Sequence, residues 1–144
     1  MPAMTLYGGV AVDKTVAGIV IGKVAELAMC RLSGVSVDLA LRDRGDGGRD
    51  LLLPCGSVQV KAARKSYGTK LVREPVERAE WFVFATWCGT KSHVQIDGYV
   101  SRAAMLRMNV IPSVRGSWMN RQVHDSELLP IRSLLKIKPI DEVL

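Results

Sequence analysis

An acid, an amide and a lysine, which together are suited to phosphate chemistry, lie close along the chain between Asp50 and Lys61. Short apolar runs on either side of Pro54-Cys55-Gly56 predict two strands joined by a tight turn. With such a turn, Asp50 falls opposite Gln59 or Val60, within the roughly 5 Å that separates cross-strand Cβ atoms. The pattern therefore predicts a β-hairpin that brings a carboxylate, an amide and an ammonium to one place.

The chemistry that this group predicts is metal-assisted cleavage of a phosphodiester. Side chains alternate along a strand, so Gln59 and Lys61 share one face. Carboxylate and carbonyl oxygens bind hard divalent cations, and an ammonium positions an attacking water or stabilises negative charge on the phosphoryl group. Asp50 and Gln59 are accordingly candidate metal ligands, and Lys61 is the candidate residue that acts on the water.

The order and spacing of these residues resemble the PD-(D/E)xK nuclease superfamily, the fold of many restriction enzymes, archaeal Holliday-junction resolvases and phage nucleases. The family signature is an acid, a short hairpin, and then an acid or glutamine two residues before a lysine. Here it reads Asp50, eight residues, and Gln59-Val60-Lys61, which is the QxK variant. The glycine-rich residues 45–51 and an upstream helix carrying Glu26 also fit the family, and the resemblance covers roughly residues 14 to 108.

The resemblance implies a DNA endonuclease, structure-selective or non-specific, that uses Mg²⁺ or, in its place, Mn²⁺. It implies that Asp50, Gln59 and the Val60 carbonyl hold the metal and that Lys61 orients the water. It also implies that Glu26 reaches the metal through a water or binds a second metal. Because Gln59 is neutral, divalent affinity should be lower than in members with an acid there. The alternative is a catalytically inactive nucleic-acid-binding or assembly protein on the same fold.

Basic residues after the proposed active strand suit a polyanionic partner. The chain has 20 Lys and Arg against 14 Asp and Glu, a formal charge of +6. Cations along a phosphate backbone add salt-dependent affinity, and Tyr67 is positioned in sequence to stack on a base. The candidate nucleic-acid-binding residues are Arg64, Lys65, Tyr67, Lys70 and Arg73.

Each of these residues also has a structural interpretation. Asp50 can simply end a glycine-rich turn, and Gln59 and Lys61 can form the solvated face of an edge strand. Glu26 can pair with Lys23 at i,i+3 spacing. The basic segment can be a solvated surface, as most charge runs are.

The predicted elements give an α/β domain with a restriction-endonuclease-like core, in which a central mixed β-sheet is flanked by helices in the order αβββαβ. The chain of 144 residues is predicted to be one domain, with a core over about 14–108 and a C-terminal extension over 109–144. The predicted segments are a helix over 14–32, a strand over 35–41, the hairpin over 50–61, a polar loop over 64–80, strands over 81–87 and 94–100, and a helix over 102–108.

Cysteine usage and the last third of the chain bear on compartment and assembly. Cys30, Cys55 and Cys88 follow no zinc or disulfide spacing, and there is no signal peptide or membrane-span pattern. A cytoplasmic location is expected, in the host if the protein is viral. A homodimer is expected from apolar residues beyond those one small sheet requires, namely Trp118, Leu128, Leu129, Leu134, Leu135, Ile137 and Ile140.

Overall fold

The protein is a mixed α/β structure, with a multi-stranded mixed sheet and few helices. A computed structural model describes residues 5–7, 10–11, 14–34, 51–64, 68–88 and 93–137, with side-chain environments from residue 21 onward. The elements in chain order are β1 (Thr5–Tyr7), β2 (Val10–Ala11), α1 (Lys14–Ser33), β3 (Leu51–Leu53), β4 (Gly56–Ala63), β5 (Thr69–Arg73), β6 (Trp81–Trp87), β7 (Val94–Ser101), α2 (Arg102–Met105), β8 (Asn109–Pro112), β9 (Met119–His124), a 3-10 turn (Asp125–Glu127) and α3 (Ile131–Leu135).

The central sheet has the strand order β3-β4-β6-β7. β3 and β4 form the predicted antiparallel hairpin, in which Leu51 pairs with Val58 and Leu53 pairs with Gly56. β4 runs parallel to β6, and β6 runs antiparallel to β7. Since two adjacent parallel strands need a crossover connection, residues 64–80 must return the chain from the end of β4 to the start of β6.

β6 is buried on both faces, as its continuous run of strand-forming apolar residues predicts. Val83 and Ala85 belong to one hydrophobic cluster, and Phe82 and Phe84 belong to a second cluster on the other face. The sheet is therefore the middle layer of the molecule.

The first face of the sheet is covered by α1 and α3. Ala25 and Met29 of α1 and Leu134 of α3 are fully buried against Val58 and Val83. The predicted helix over 14–32 is confirmed, with its end one residue later. The prediction that a helix packs on this face of the sheet is also correct.

The second face is covered mainly by another sheet, and here the prediction of flanking helices on both sides is wrong. β5, β9 and β8 form a three-stranded antiparallel sheet in that order. Val72 of β5 and Val123 of β9 pack on Phe82 and Phe84, while the short α2 adds Met105. The predicted loop over 64–80 thus contains a strand, because Val72 and Lys70 find partners in β9 about fifty residues later in the sequence.

The residues after 109 are an integral part of the fold instead of a peripheral extension. They supply β8, β9 and α3, and through Leu134 a fully buried core side chain. Leu128, Leu135 and Ile137 are partly buried against the two clusters. Of the apolar residues expected on a dimer surface, Trp118 and Leu129 are exposed. Ile140 lies outside the described residues.

α2 begins where predicted and ends three residues early. Ser101 is the N-cap, and its hydroxyl accepts a hydrogen bond from Ala104 N at 3.1 Å. The helix ends at Met105, and Arg121 Nη1 donates to the carbonyls of Leu106 and Met108 just beyond it, at 2.8 and 3.2 Å. These hydrogen bonds satisfy acceptors that have no partner within the helix.

Among the described residues, no helix has the length and apolar character needed to cross a lipid bilayer. The predicted strand over 35–41 and the residues that lead into the hairpin lie outside the described residues.

Candidate functional site

The predicted hairpin carries Gln59 and Lys61 on the face of β4 that is opposite α1. Val58 and Val60 belong to the cluster under α1. Gln59 is in register with Phe82 and Lys61 with Phe84, the two aromatic residues of the second cluster. Side-chain alternation thus places Gln59 and Lys61 together, as the sequence predicts.

Gln59 is a buried amide whose oxygen has no partner. The residue is 8% exposed, and its Oε1 accepts no hydrogen bond from the described part of the chain. An unsatisfied buried acceptor costs about 1–3 kcal/mol. Buried polar groups are normally hydrogen-bonded. Gln59 Oε1 is therefore an acceptor on this face of β4 whose hydrogen-bonding capacity the described residues leave unused.

Lys61 forms an ion pair with Glu77, a residue that sequence reasoning missed. Lys61 Nζ contacts Glu77 Oε2, and the two side chains are 32% and 23% exposed. Glu77 lies in the crossover between the parallel strands β4 and β6. The parallel pairing of those strands is the signal that could have identified it, since the connection has to pass over one face of the sheet.

Lys61 also lines an open cleft between the two sheets. The cleft has a volume of about 480 Å³, and its walls include Arg64, Thr69, Lys70 and Phe84. With Lys61, the lining has three cations, and Ala62, Ala63, Leu71 and Phe84 are its apolar residues. A cleft with this lining suits an anion attached to a flat or apolar group, such as a nucleotide.

Lys70 is held inside the molecule between two carboxylates. Its ammonium lies 3.1 Å from Asp125 Oδ1 and 3.4 Å from Asp97 Oδ2, and the side chain is 5% exposed. Asp97 in turn accepts a hydrogen bond of 2.5 Å from Thr86 Oγ1. The pairs Phe84–Gly98 and Ala85–Ile96 leave Asp97 as the extra residue of a β-bulge. Lys70 is therefore engaged by the protein, which differs from the expected surface cation.

The other predicted nucleic-acid-binding residues are divided between two surfaces and the undescribed segments. Arg64 lines the cleft. Arg73 is exposed on the outer side of the second sheet, where its guanidinium lies 4.6 Å from the centre of the Trp118 ring. The structure therefore does not bring Arg73 into the cleft. Lys65 and Tyr67 lie outside the described residues.

Glu26 is buried on α1 and forms the ion pair expected as its structural alternative. It is 5% exposed, and its Oε2 lies 3.0 Å from Lys23 Nζ without hydrogen-bond geometry. Because α1 packs on the Val58–Val60 face of β4, Glu26 and Lys61 lie on opposite sides of the sheet. The structure does not bring these two candidate residues together.

Cys55 lies in the hairpin turn, where its carbonyl accepts a hydrogen bond from Trp81 Nε1 at 2.9 Å. Burial raises the pKa of the Cys55 thiol, with a smaller contribution from the negative charge of Glu80, and a hydrogen bond to its own backbone partly opposes these. A thiol with a raised pKa is a poor nucleophile at neutral pH. Cys55 is therefore a structural residue of the turn.

Asp50, the candidate acidic ligand, lies outside the described residues. The next residue, Leu51, begins β3. Val60 pairs with Val83 inside the central sheet. Within the described ranges, no group of three or more His, Cys, Asp and Glu side chains is arranged to hold a metal ion.

The chain matches no protein-family model, no curated protein and no solved structure at a significant level.

Proposed function

We propose that this protein is a metal-dependent DNA endonuclease with a restriction-endonuclease-like core. One observation carries the proposal. Gln59 and Lys61 share a face of β4, with the amide oxygen of Gln59 buried and unsatisfied and the Lys61 side chain lining an open cleft. This is the relation between a metal-ligand position and a water-orienting lysine that the QxK motif requires.

The residues of this strand fit a hard divalent cation. Amide carbonyl oxygens are ordinary ligands of Mg²⁺ and Mn²⁺. The Gln59 oxygen is unsatisfied, so binding a cation would compensate a cost that the fold already carries. Asp50 would add a carboxylate and Val60 its carbonyl. When bound, the cation would stabilise charge on the scissile phosphate and make a bound water more acidic.

The side chains of the cleft would bind and orient the substrate. Arg64 lies on the same wall as Lys61, within reach of neighbouring phosphates of one strand. The Lys61 ammonium would hold the attacking water or a phosphate oxygen in place. The apolar floor at Phe84 would exclude bulk water from that side of the scissile group.

The order of elements supports the same fold. α1 precedes the hairpin and packs on its sheet, and the hairpin strand β4 lies beside β6 in parallel orientation after a crossover. The departures are the second sheet, which replaces a helix on one face, and the strand inside the crossover. Neither departure changes the β3–β4 hairpin that carries the motif.

Cleavage of supercoiled plasmid and of labelled duplex, flap and junction oligonucleotides tests the proposal, with Mg²⁺, Mn²⁺ or excess chelator. We expect cleavage with either metal and none with chelator. Asp50→Ala and Lys61→Ala should each abolish turnover while leaving the melting temperature near that of wild type. Lys136→Ala is the matched control, because Lys136 is exposed beyond the end of α3, away from the cleft.

Wild-type turnover in either Asp50→Ala or Lys61→Ala would contradict the assignment of the site. The neutral Gln59 favours one alternative, since it removes a charge from the metal site. Salt-dependent DNA binding without cleavage in either metal would assign the protein to the binding class on the same fold.

A further inference from the structure

The crossover segment before β6 runs along the face of β4 that carries the proposed site. At one end, Glu77 contacts Lys61. At the other, Glu80 N donates to the carbonyl and the hydroxyl of Ser57, at 3.1 and 3.0 Å. Gln59 is the residue between Ser57 and Lys61 on that face of β4. Residues 77–80 therefore contact β4 on either side of Gln59, at Lys61 and at Ser57.

The backbone of Glu77 is anchored by two hydrogen bonds to its carbonyl. Arg102 Nη1 donates to the Glu77 carbonyl at 2.7 Å, and Ala79 N donates to the same carbonyl at 3.1 Å. Ala79 is 3% exposed within the second cluster. A side chain that extends from a fixed backbone is suited to coordination.

Glu77 also meets the chemical need that Gln59 creates. Glu77 Oε2 is buried, and it contacts the Lys61 ammonium. A divalent cation prefers anionic oxygen, and a neutral amide supplies none of the charge. Like Gln59 Oε1, Glu77 Oε2 has no hydrogen-bond partner among the described residues, and its carboxylate contacts Lys61, the next side chain on this face of β4.

We propose that Glu77 is a metal-binding residue of this site, supplying the anionic oxygen that Gln59 lacks. The inference rests on the proposed function, because it assigns a ligand to the same divalent cation, Mg²⁺ or Mn²⁺. Lys61 and the cation then compete for one carboxylate. The charge that an acid at position 59 would supply then comes from the crossover.

Binding of Mn²⁺ to the full chain tests the proposal without any need for turnover. Binding is measured by calorimetry and, for weak binding, by the spin-resonance signal of free Mn²⁺. Glu77→Gln should weaken binding by at least about tenfold. Glu80→Gln is the matched control, since Glu80 is an exposed carboxylate three residues along the same segment, and it should bind as wild type.

Moving the charge back to the strand gives the decisive comparison. The double variant Gln59→Glu with Glu77→Gln keeps the net charge of the site and should recover Mn²⁺ affinity to within about threefold of wild type. If Glu77→Gln does not fold, Lys61→Met serves instead. Loss of the competing ammonium should then tighten binding by about threefold to tenfold.

Three results would overturn the proposal: wild-type affinity in Glu77→Gln, no recovery in the double variant, or no Mn²⁺ binding by wild type at millimolar concentration. Unchanged or weaker binding by Lys61→Met, where that variant is used, would do the same. DNA cleavage separates this inference from the proposed function. If the wild type cleaves DNA and Glu77→Gln binds Mn²⁺ normally, only the role of Glu77 is refuted. If the wild type does not cleave DNA but Glu77→Gln loses Mn²⁺ binding, only the nuclease activity is refuted.

Discussion

Adding one methyl group at Gly98 should strongly reduce the stability of the fold. It lies in β7 with φ of +148°, a backbone conformation that favours glycine. A Cβ built there would lie 2.6 Å from the carbonyl oxygen of Leu129 and 2.8 Å from Leu128 Cβ. The chain passes this close because Tyr99 and Leu129 exchange two backbone hydrogen bonds, of 3.0 and 2.9 Å.

The expected loss of stability for Gly98→Ala follows from two contributions. Forcing a residue with a side chain into this region of φ costs about 1–3 kcal/mol. Relieving the overlap with a backbone oxygen adds an overpacking cost of about 1–3 kcal/mol. Because one backbone shift relieves part of both, we expect the free energy of unfolding to fall by about 3–4 kcal/mol, a large share of the roughly 5–15 kcal/mol typical of a domain.

Urea denaturation followed by tryptophan fluorescence measures this change, with Gly22→Ala as the control. Gly22 lies inside α1, and a Cβ there meets no atom within 4 Å. That substitution should raise stability by up to about 1 kcal/mol, because alanine favours the helix. A loss of less than about 1 kcal/mol in Gly98→Ala would show that the Tyr99–Leu129 contact is not as close as described.

Two further predictions concern groups near the site. Lys70→Met should lower the free energy of unfolding by about 2–3 kcal/mol, which urea denaturation measures. The loss is smaller than for a fully buried ion pair because Asp125 is 32% exposed. Unchanged stability together with weaker DNA binding would instead make Lys70 a surface cation. In the folded protein at about pH 8, Cys55 should react with iodoacetamide more slowly than the same cysteine does in urea, because its raised pKa leaves less thiolate. Peptide mass spectrometry measures both rates, and equal rates would contradict this prediction.

Local patterns in the sequence predicted the parts of the fold that depend on near neighbours. The helix over 14–32, the strands over 81–87 and 94–100, the Ser101 cap and the hairpin at Pro54-Cys55 all rest on periodicity or turn chemistry. The common face of Gln59 and Lys61 follows from strand alternation alone. These features needed no distant contact to be recognised.

The features that were missed depend on partners far away in the sequence. Val72 lies in a strand because Arg121 pairs with it, and Glu77 reaches Lys61 because the crossover between the parallel strands β4 and β6 carries it there. Lys70 resembles a surface cation in sequence, yet Asp97 and Asp125 draw it inward. None of these contacts produces a periodic pattern within one strand or helix, so the sequence alone does not indicate them.

The position of Leu134 has a consequence for how the protein is made. This side chain, near the end of the described chain, is fully buried in the same cluster as Ala25 of α1. During synthesis the chain emerges from its N-terminal end, so the layer under β4 is incomplete until α3 has left the ribosome. A chain that ends before α3 should therefore be much less stable than the full chain, because it lacks a fully buried side chain of this cluster.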